Sequence, residues 1–307
     1  MPTPHLHGIV PALVTPFRED ERIDYNAWQV IIDAMLTAGV DGMFAGGSTG
    51  EFCSLEWDER LVATRFCKQV VNGRVPLYAN VGCITTRDSL KLARQMEDIG
   101  VDAAVIITPY YLKPSQDELA EHFIEICQAV RIPVLLYNFP QHGGVSIAVE
   151  TAARVAEKCD NLIGVKDSSG SLELAIAFRN CAPGRSLSIF VGPEKLIVPA
   201  LENGCAGSVS GCANIAPQLF VSLYRAIREG NRLEAAHLQA LASDLQDVVP
   251  LHTFPSVIKE AMNIAGLPAG ICRKPVGPMP AAARSQLFDF LHQTGLATAH
   301  SPRTAAK

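Results

Sequence analysis

Eight short runs rich in β-branched and aromatic residues recur along the chain, and helical patterns fill every interval between them. The runs are GIVPALVTPF (8–17), VDGMFAGGST (40–49), VPLYANVG (75–82), DAAVIITPYY (102–111), IPVLLYNFP (132–140), LIGVKDSS (162–169), LSIFVG (187–192) and AGSVSGCANI (206–215). A strand that lies parallel to its predecessor needs a crossover of a dozen or more residues, which a helix supplies. Strands built this way are covered on both faces, and the near-continuous apolar character of these runs suits such burial. Eight β/α units without a break in composition predict the α/β class and a single (β/α)8 TIM barrel. A doubly wound sheet is the alternative, but its GxGxxG fingerprint is absent.

The helical patterns begin at 25–37 and continue with SLEWDERLVATRFCKQVV (54–71), TTRDSLKLARQMEDIG (85–100) and SQDELAEHFIEICQAV (115–130). Several open on Ser or Thr with an acidic residue three or four positions on, as an N-cap and a negatively charged first turn require. A weak repeat, AGVDGMF (38–44), IGVDAAV (99–105) and NGCAGSV (203–209), places a helix-ending glycine just before a strand. APQLFVSLYRAIREG (216–230) is the eighth barrel helix in this reading, so the barrel takes 1–230. The remainder, 231–307, reads as a C-terminal helical appendage. It is helical through 291, with a Pro/Gly-rich connector at 268–280 and a polar tail, TAHSPRTAAK, at its end.

Composition narrows the partner. A net charge of −5 with no basic stripe argues against nucleic acid and anionic membrane surfaces, which leaves a small-molecule substrate. The first residues lack the basic and apolar regions of a signal peptide, and no window is long and apolar enough to span a bilayer, so a cytoplasmic location is expected. The nine cysteines are odd in number, scattered and never in a CxxC pair, which suits reduced core side chains rather than a metal or redox site. No cofactor is implied.

In a barrel of this kind the active site forms at the C-terminal strand ends. Four runs end in reactive groups: Ser48-Thr49, Tyr110-Tyr111, Tyr137-Asn138 and Lys166-Asp167. Lys166 follows Leu162, Ile163 and Val165, so its amine is expected in a desolvated space where the charged form is disfavoured. A neutral amine attacks a ketone to give a Schiff base. The alternative is a strand-end lysine that pairs with Asp167 or reaches solvent. Tyr137 is placed to move protons to and from a substrate oxygen, or else is a core aromatic with a backbone partner. The turn AGGSTGEF (45–52) suits a carboxylate held by N–H and hydroxyl groups; it lacks the lysine of a P-loop, and an ordinary βα loop is the alternative. His142 after the fifth run and Glu194 in VGPEK after the seventh are candidate substrate contacts. His5, His7, His122, His237 and His292 form no metal-ligand cluster in sequence.

Four motifs in this order, GGSTGE, TPYYLKPSQ, YNFP and GVKDSS, resemble the dihydrodipicolinate synthase/N-acetylneuraminate lyase family of pyruvate-dependent class I aldolases. The resemblance implies a barrel in which Lys166 forms a Schiff base with pyruvate and Tyr137 is the general acid/base. It further implies a proton relay of Ser48 and Tyr111, a carboxylate held by Thr49 and the backbone around Ser48, and Val209 lining the lysine. The family's relay tyrosine reaches in from a neighbouring subunit, which implies a homo-oligomer, a dimer or a dimer of dimers. Two departures bear on the substrate. The synthases carry an arginine two residues after the proline of YNxP, where this chain has Pro140-Gln141-His142, and a histidine offers fewer donors than a guanidinium. The sialic-acid lyases use hydroxyl and acidic groups near strands five and seven, where this chain has Gly143 and Glu194-Lys195. The expected reaction is therefore reversible cleavage of a 2-keto-3-deoxy sugar acid, with Glu194, His142 and Gln141 toward its tail. The alternatives are 4-hydroxy-tetrahydrodipicolinate (dihydrodipicolinate) synthase, a sugar-acid dehydratase of the same family, or a non-catalytic 2-oxo-acid-binding barrel.

Overall fold

The computed structural model describes residues 6–182 and 184–298; His5 and the polar tail from 299 lie outside them. Each predicted run contains one strand: β1 (Gly8–Pro11), β2 (Met43–Ala45), β3 (Leu77–Asn80), β4 (Ala103–Ile107), β5 (Val134–Asn138), β6 (Leu162–Asp167), β7 (Ser188–Val191) and β8 (Gly207–Ser210). They pair in the order β1-β8-β7-β6-β5-β4-β3-β2, every registered pair parallel. A bridge between Ala12 and Phe44 closes the last seam, where Leu13 N–H donates to the Phe44 carbonyl at 2.9 Å. The result is the expected barrel.

Around the strands run α1 (Tyr25–Ala38), α2 (Trp57–Val71), α3 (Thr86–Ile99), α4 (Gln116–Gln128), the single turn α5 (Pro140–Gly143), α6 (Val149–Lys158), α7 (Leu172–Arg179), α8 (Ile197–Glu202) and α9 (Pro217–Arg228). Beyond them come α10 (Arg232–Asp247), α11 (Ser256–Ile264) and α12 (Ala281–Gln293), the expected C-terminal helices. Thr85 and Ser115 cap α3 and α4 by accepting from the N–H of Asp88 and Glu118. Ser54 does not cap α2. It ends a short 3-10 turn, and α2 starts two residues beyond Leu55 under a box in which Glu59 accepts from the Glu56 N–H at 2.9 Å. The repeated glycines Gly39, Gly100 and Gly204 all have positive φ, which only glycine adopts freely, and close their helices before β2, β4 and β8.

Two apolar layers separate along the strands. One, including Phe44, Leu135, Tyr137, Phe190 and Val209, fills the barrel, and the other lies between strands and helices and continues into α10, α11 and α12. Strand β6 departs from simple alternation. Val134 pairs with Leu162 but Leu135 with Gly164, so Ile163 is the extra residue of a β-bulge. Leu162 and Val165 belong to the outer layer and Ile163 to the inner one. One extra residue inverts the facing of every side chain after it. Lys166 therefore points into the barrel, where unbroken alternation from Leu162 would have sent it outward.

Candidate active site

Lys166 stands in register with Tyr137 on β5 and Phe190 on β7. Only 4% of it is exposed. Its Nζ lies 4.0 Å from the centroid of the Tyr137 ring and 4.9 Å from that of Phe44. Burial lowers the amine to about 7, against a smaller opposing pull from the Glu194 carboxylate. About half the amine is thus neutral at neutral pH. Asp167, one residue on, faces the other way. It accepts from Asn138 Nδ2 and Ser169 Oγ, each at 2.7 Å, so the Lys166–Asp167 pairing that the sequence left open is not formed.

Tyr137 Oη and Ser48 Oγ are 3.3 Å apart. Burial pushes the Tyr137 phenol up to about 12, and the hydroxyls of Ser48 and Ser168 counter it. Such a phenol holds its proton until a neighbouring oxygen needs it. Ser168 was not among the residues singled out in the sequence, although the two adjacent hydroxyls of KDSSG carried the signal. Phe44, the ring beside the amine, was hidden among core apolar residues.

Ser48 and Thr49 sit in a tight turn after β2. Gly50 N–H donates to the Gly47 carbonyl at 3.0 Å, Glu51 N–H to the Ser48 carbonyl at 3.1 Å, and Thr15 Oγ1 to the Gly50 carbonyl at 2.8 Å. A Cβ on Gly50 would lie 2.8 Å from the Leu13 carbonyl oxygen, so the turn packs directly on the chain after β1. Thr49 is buried and approaches the end of β8, where a Cβ on Gly211 would come within 3.3 Å of its Oγ1. Val209 on β8, two residues before Gly211, belongs to the inner layer with Tyr137 and Phe44.

The remaining candidates lie around this cluster, except Tyr111. Glu194 is buried, and its Oε1 accepts from Ser210 Oγ at 2.8 Å and Cys212 N–H at 3.1 Å, which ties the carboxylate to the end of β8. His142 stacks on Phe139 at 4.3 Å and meets the Phe254 edge at 5.7 Å; burial lowers its pKa, so the ring is neutral at pH 7. Gln141 donates to the Ser169 carbonyl at 2.8 Å. Tyr111 stands apart from the cluster, 92% exposed, with φ 73°. Tyr110, which precedes it, packs edge-on against Phe52 at 5.4 Å.

Residues 5–294 match the model of the Dihydrodipicolinate synthetase family. The chain belongs to that family. It is 31% identical over 296 residues to the 4-hydroxy-tetrahydrodipicolinate synthase of Gluconacetobacter diazotrophicus, covering 96% of this chain and 99% of the relative. Against the protein of the same name from Methanopyrus kandleri the identity is 35%, over 95% and 97% of the two chains. Among solved structures it superposes on YagE, a prophage protein of the dihydrodipicolinic acid synthase family from E. coli K12 in complex with pyruvate. The TM-score is 0.91 at 32% identity, over 94% of this chain and 99% of that one. Membership of the dihydrodipicolinate synthetase family makes the chain an enzyme, a class I pyruvate-dependent lyase or aldolase. Among the described residues no helix is long and apolar enough to cross a membrane.

Proposed function

We propose that Lys166 is the Schiff-base nucleophile toward pyruvate. The observation that carries the reading is a buried amine held near pKa 7, in register with a tyrosine whose hydroxyl meets Ser48. The neutral amine adds to the ketone carbon of pyruvate, and the phenol of Tyr137 supplies the proton that lets the carbinolamine oxygen leave as water. The iminium so formed draws electrons from C3, whose proton is then lost to give an enamine. That carbon attacks an aldehyde, or in reverse is released as the carbon–carbon bond breaks. Thr49 and the backbone of Ser48-Thr49 grip the carboxylate, and Val209 walls the lysine. Borohydride reduction of the native protein with pyruvate should leave a reduced adduct on Lys166, found by peptide mass spectrometry; folded protein without that adduct would sink the proposal.

For the second substrate, the names of the relatives support 4-hydroxy-tetrahydrodipicolinate synthase, with aspartate semialdehyde as the aldehyde. The sequence had ranked this behind a sugar acid. One side chain still favours the sugar acid: neutral, stacked His142 occupies the place where the synthases carry a guanidinium for the semialdehyde carboxylate. Steady-state assays with pyruvate and aspartate semialdehyde, against pyruvate release from 2-keto-3-deoxy sugar acids, decide between them. The higher kcat/KM names the substrate. We further propose a cytoplasmic homo-oligomer in which Tyr111 completes the Ser48–Tyr137 relay from a neighbouring subunit. Its near-complete exposure and the nine free cysteines support that reading.

A further inference from the structure

Below the turn that holds Ser48 and Thr49 lies an ion pair that the mechanism does not use. Lys259 Nζ on α11 is 2.5 Å from Glu51 Oε1, and both side chains are almost fully buried, 2% and 4% exposed. Lys259 also donates to the Ile271 carbonyl at 2.6 Å, and its Nζ lies 4.4 Å from the centroid of the Phe17 ring. The second carboxylate oxygen of Glu51 accepts from the Arg273 N–H at 3.0 Å. Both groups come from the chain beyond the barrel.

Glu51 has φ 55° and ψ 39°, a left-handed conformation that costs a residue with a Cβ free energy and persists only where its surroundings hold it. What holds it here is the carboxylate anchored by Lys259 and Arg273. The backbone of Glu51 in turn donates to the Ser48 carbonyl. Gly211 is squeezed between α11 and the turn, since a Cβ there would lie 3.0 Å from Ile258 Cδ1 and 3.3 Å from Thr49 Oγ1. Helix α11 thus reaches the turn by two routes. An apolar pair of equal volume would serve stability as well as a buried ion pair or better, so retention of charge fits a role in fixing one geometry.

We propose that Lys259 and Glu51 are positioning residues that hold the Ser48-Thr49 turn in the conformation that grips the carboxylate of pyruvate. This rests on the reading of that turn as the carboxylate site. Lys259→Met releases Glu51 from α11, and the left-handed turn relaxes. The ketone carbon still meets Lys166, but the carboxylate loses its grip.

The test is borohydride trapping on the full chain with pyruvate and, in parallel, with acetone, which offers the same ketone without a carboxylate. In Lys259→Met the pyruvate concentration for half-maximal trapping should rise by about tenfold or more, with the limiting rate and the acetone rate each within about twofold of native. A folded variant that keeps the native preference for pyruvate over acetone overturns the proposal. If the native protein forms no adduct on Lys166, the Schiff-base reading fails instead, so the two failures are separable. Should the single variant fail to fold, the Glu51→Gln/Lys259→Met double variant buries no unpaired charge and is judged by the same ratio. Hydrogen exchange on the native chain gives a measurement free of folding defects. Saturating pyruvate should slow exchange in 47–52 and in 256–262 together, and protection of the turn alone overturns the coupling.

Discussion

At Lys166 the fold has to keep an amine in a space that rejects its charge. Its ordinary value is 10.5, and burial brings it to about 7. Between these values the unfolded chain binds a proton that the folded chain does not, so this group makes stability rise with pH across that window. Below about pH 7 the folded protein carries the full cost of a buried ammonium. Lys166→Met should therefore raise the unfolding free energy by about 1–4 kcal/mol at pH 6, with the gain fading toward pH 10, as urea titrations at the two pH values would measure. The native adduct-forming rate should climb about tenfold per pH unit below 7 and level off above it. A rate flat from pH 5 to 9 would contradict the assignment. Tyr137→Phe removes one hydroxyl from the site and should slow trapping by about 10²- to 10⁴-fold while the fold is kept. Lys166 and Tyr137 stand out as candidates in the sequence because a reactive side chain at the end of an apolar run is unusual wherever it falls, and the fold brings the two together. The Glu51 anchor was not, because the backbone N–H that holds it comes from Arg273, 222 positions along the chain.

Among the elements, the eight strands were legible and their ends were not. The run 40–49 contains a strand of three residues, Met43–Ala45, and the run 102–111 stops at Ile107. Beyond Ile107 the ladder ends with Thr108, whose N–H still donates to the Tyr137 carbonyl at 3.4 Å, because Pro109 has no N–H to continue it and the chain then turns out to the exposed Tyr111. The bulge in β6 was invisible for a related reason. When both faces of a strand are apolar, the pattern carries no record of which side chain faces which way. Gly164 is what permits it: a Cβ there would sit 2.1 Å from the Ser188 carbonyl oxygen on β7. Gly164→Ala should force β6 and β7 apart or undo the bulge, and either outcome turns Lys166 from its place. We expect a loss of about 3 kcal/mol or more in urea unfolding, and no Lys166 adduct in whatever protein remains folded. A stable Gly164→Ala protein that traps pyruvate normally would show that the bulge does not aim the lysine.

The whole molecule has one feature that a single chain does not explain. Tyr111 combines near-complete exposure with a left-handed backbone, and Leu112 beside it is 50% exposed. A bulky residue held in that conformation on open surface is expected only where something else makes use of it. If the ring crosses into a second copy, a symmetric pair of chains exchanges two tyrosines, so each site is built from both chains. Complementation tests this without any structure of the assembly. Tyr111→Ala and Lys166→Ala should each turn over at a small fraction of the native rate. Mixed one to one under conditions that let subunits exchange, they form hybrids in which one site draws Lys166 from the first variant and Tyr111 from the second. Random pairing makes half the dimers hybrid and gives each hybrid one intact site, so about a quarter of native activity should return. A tyrosine that served its own chain would leave every hybrid site defective, and mixing would recover nothing.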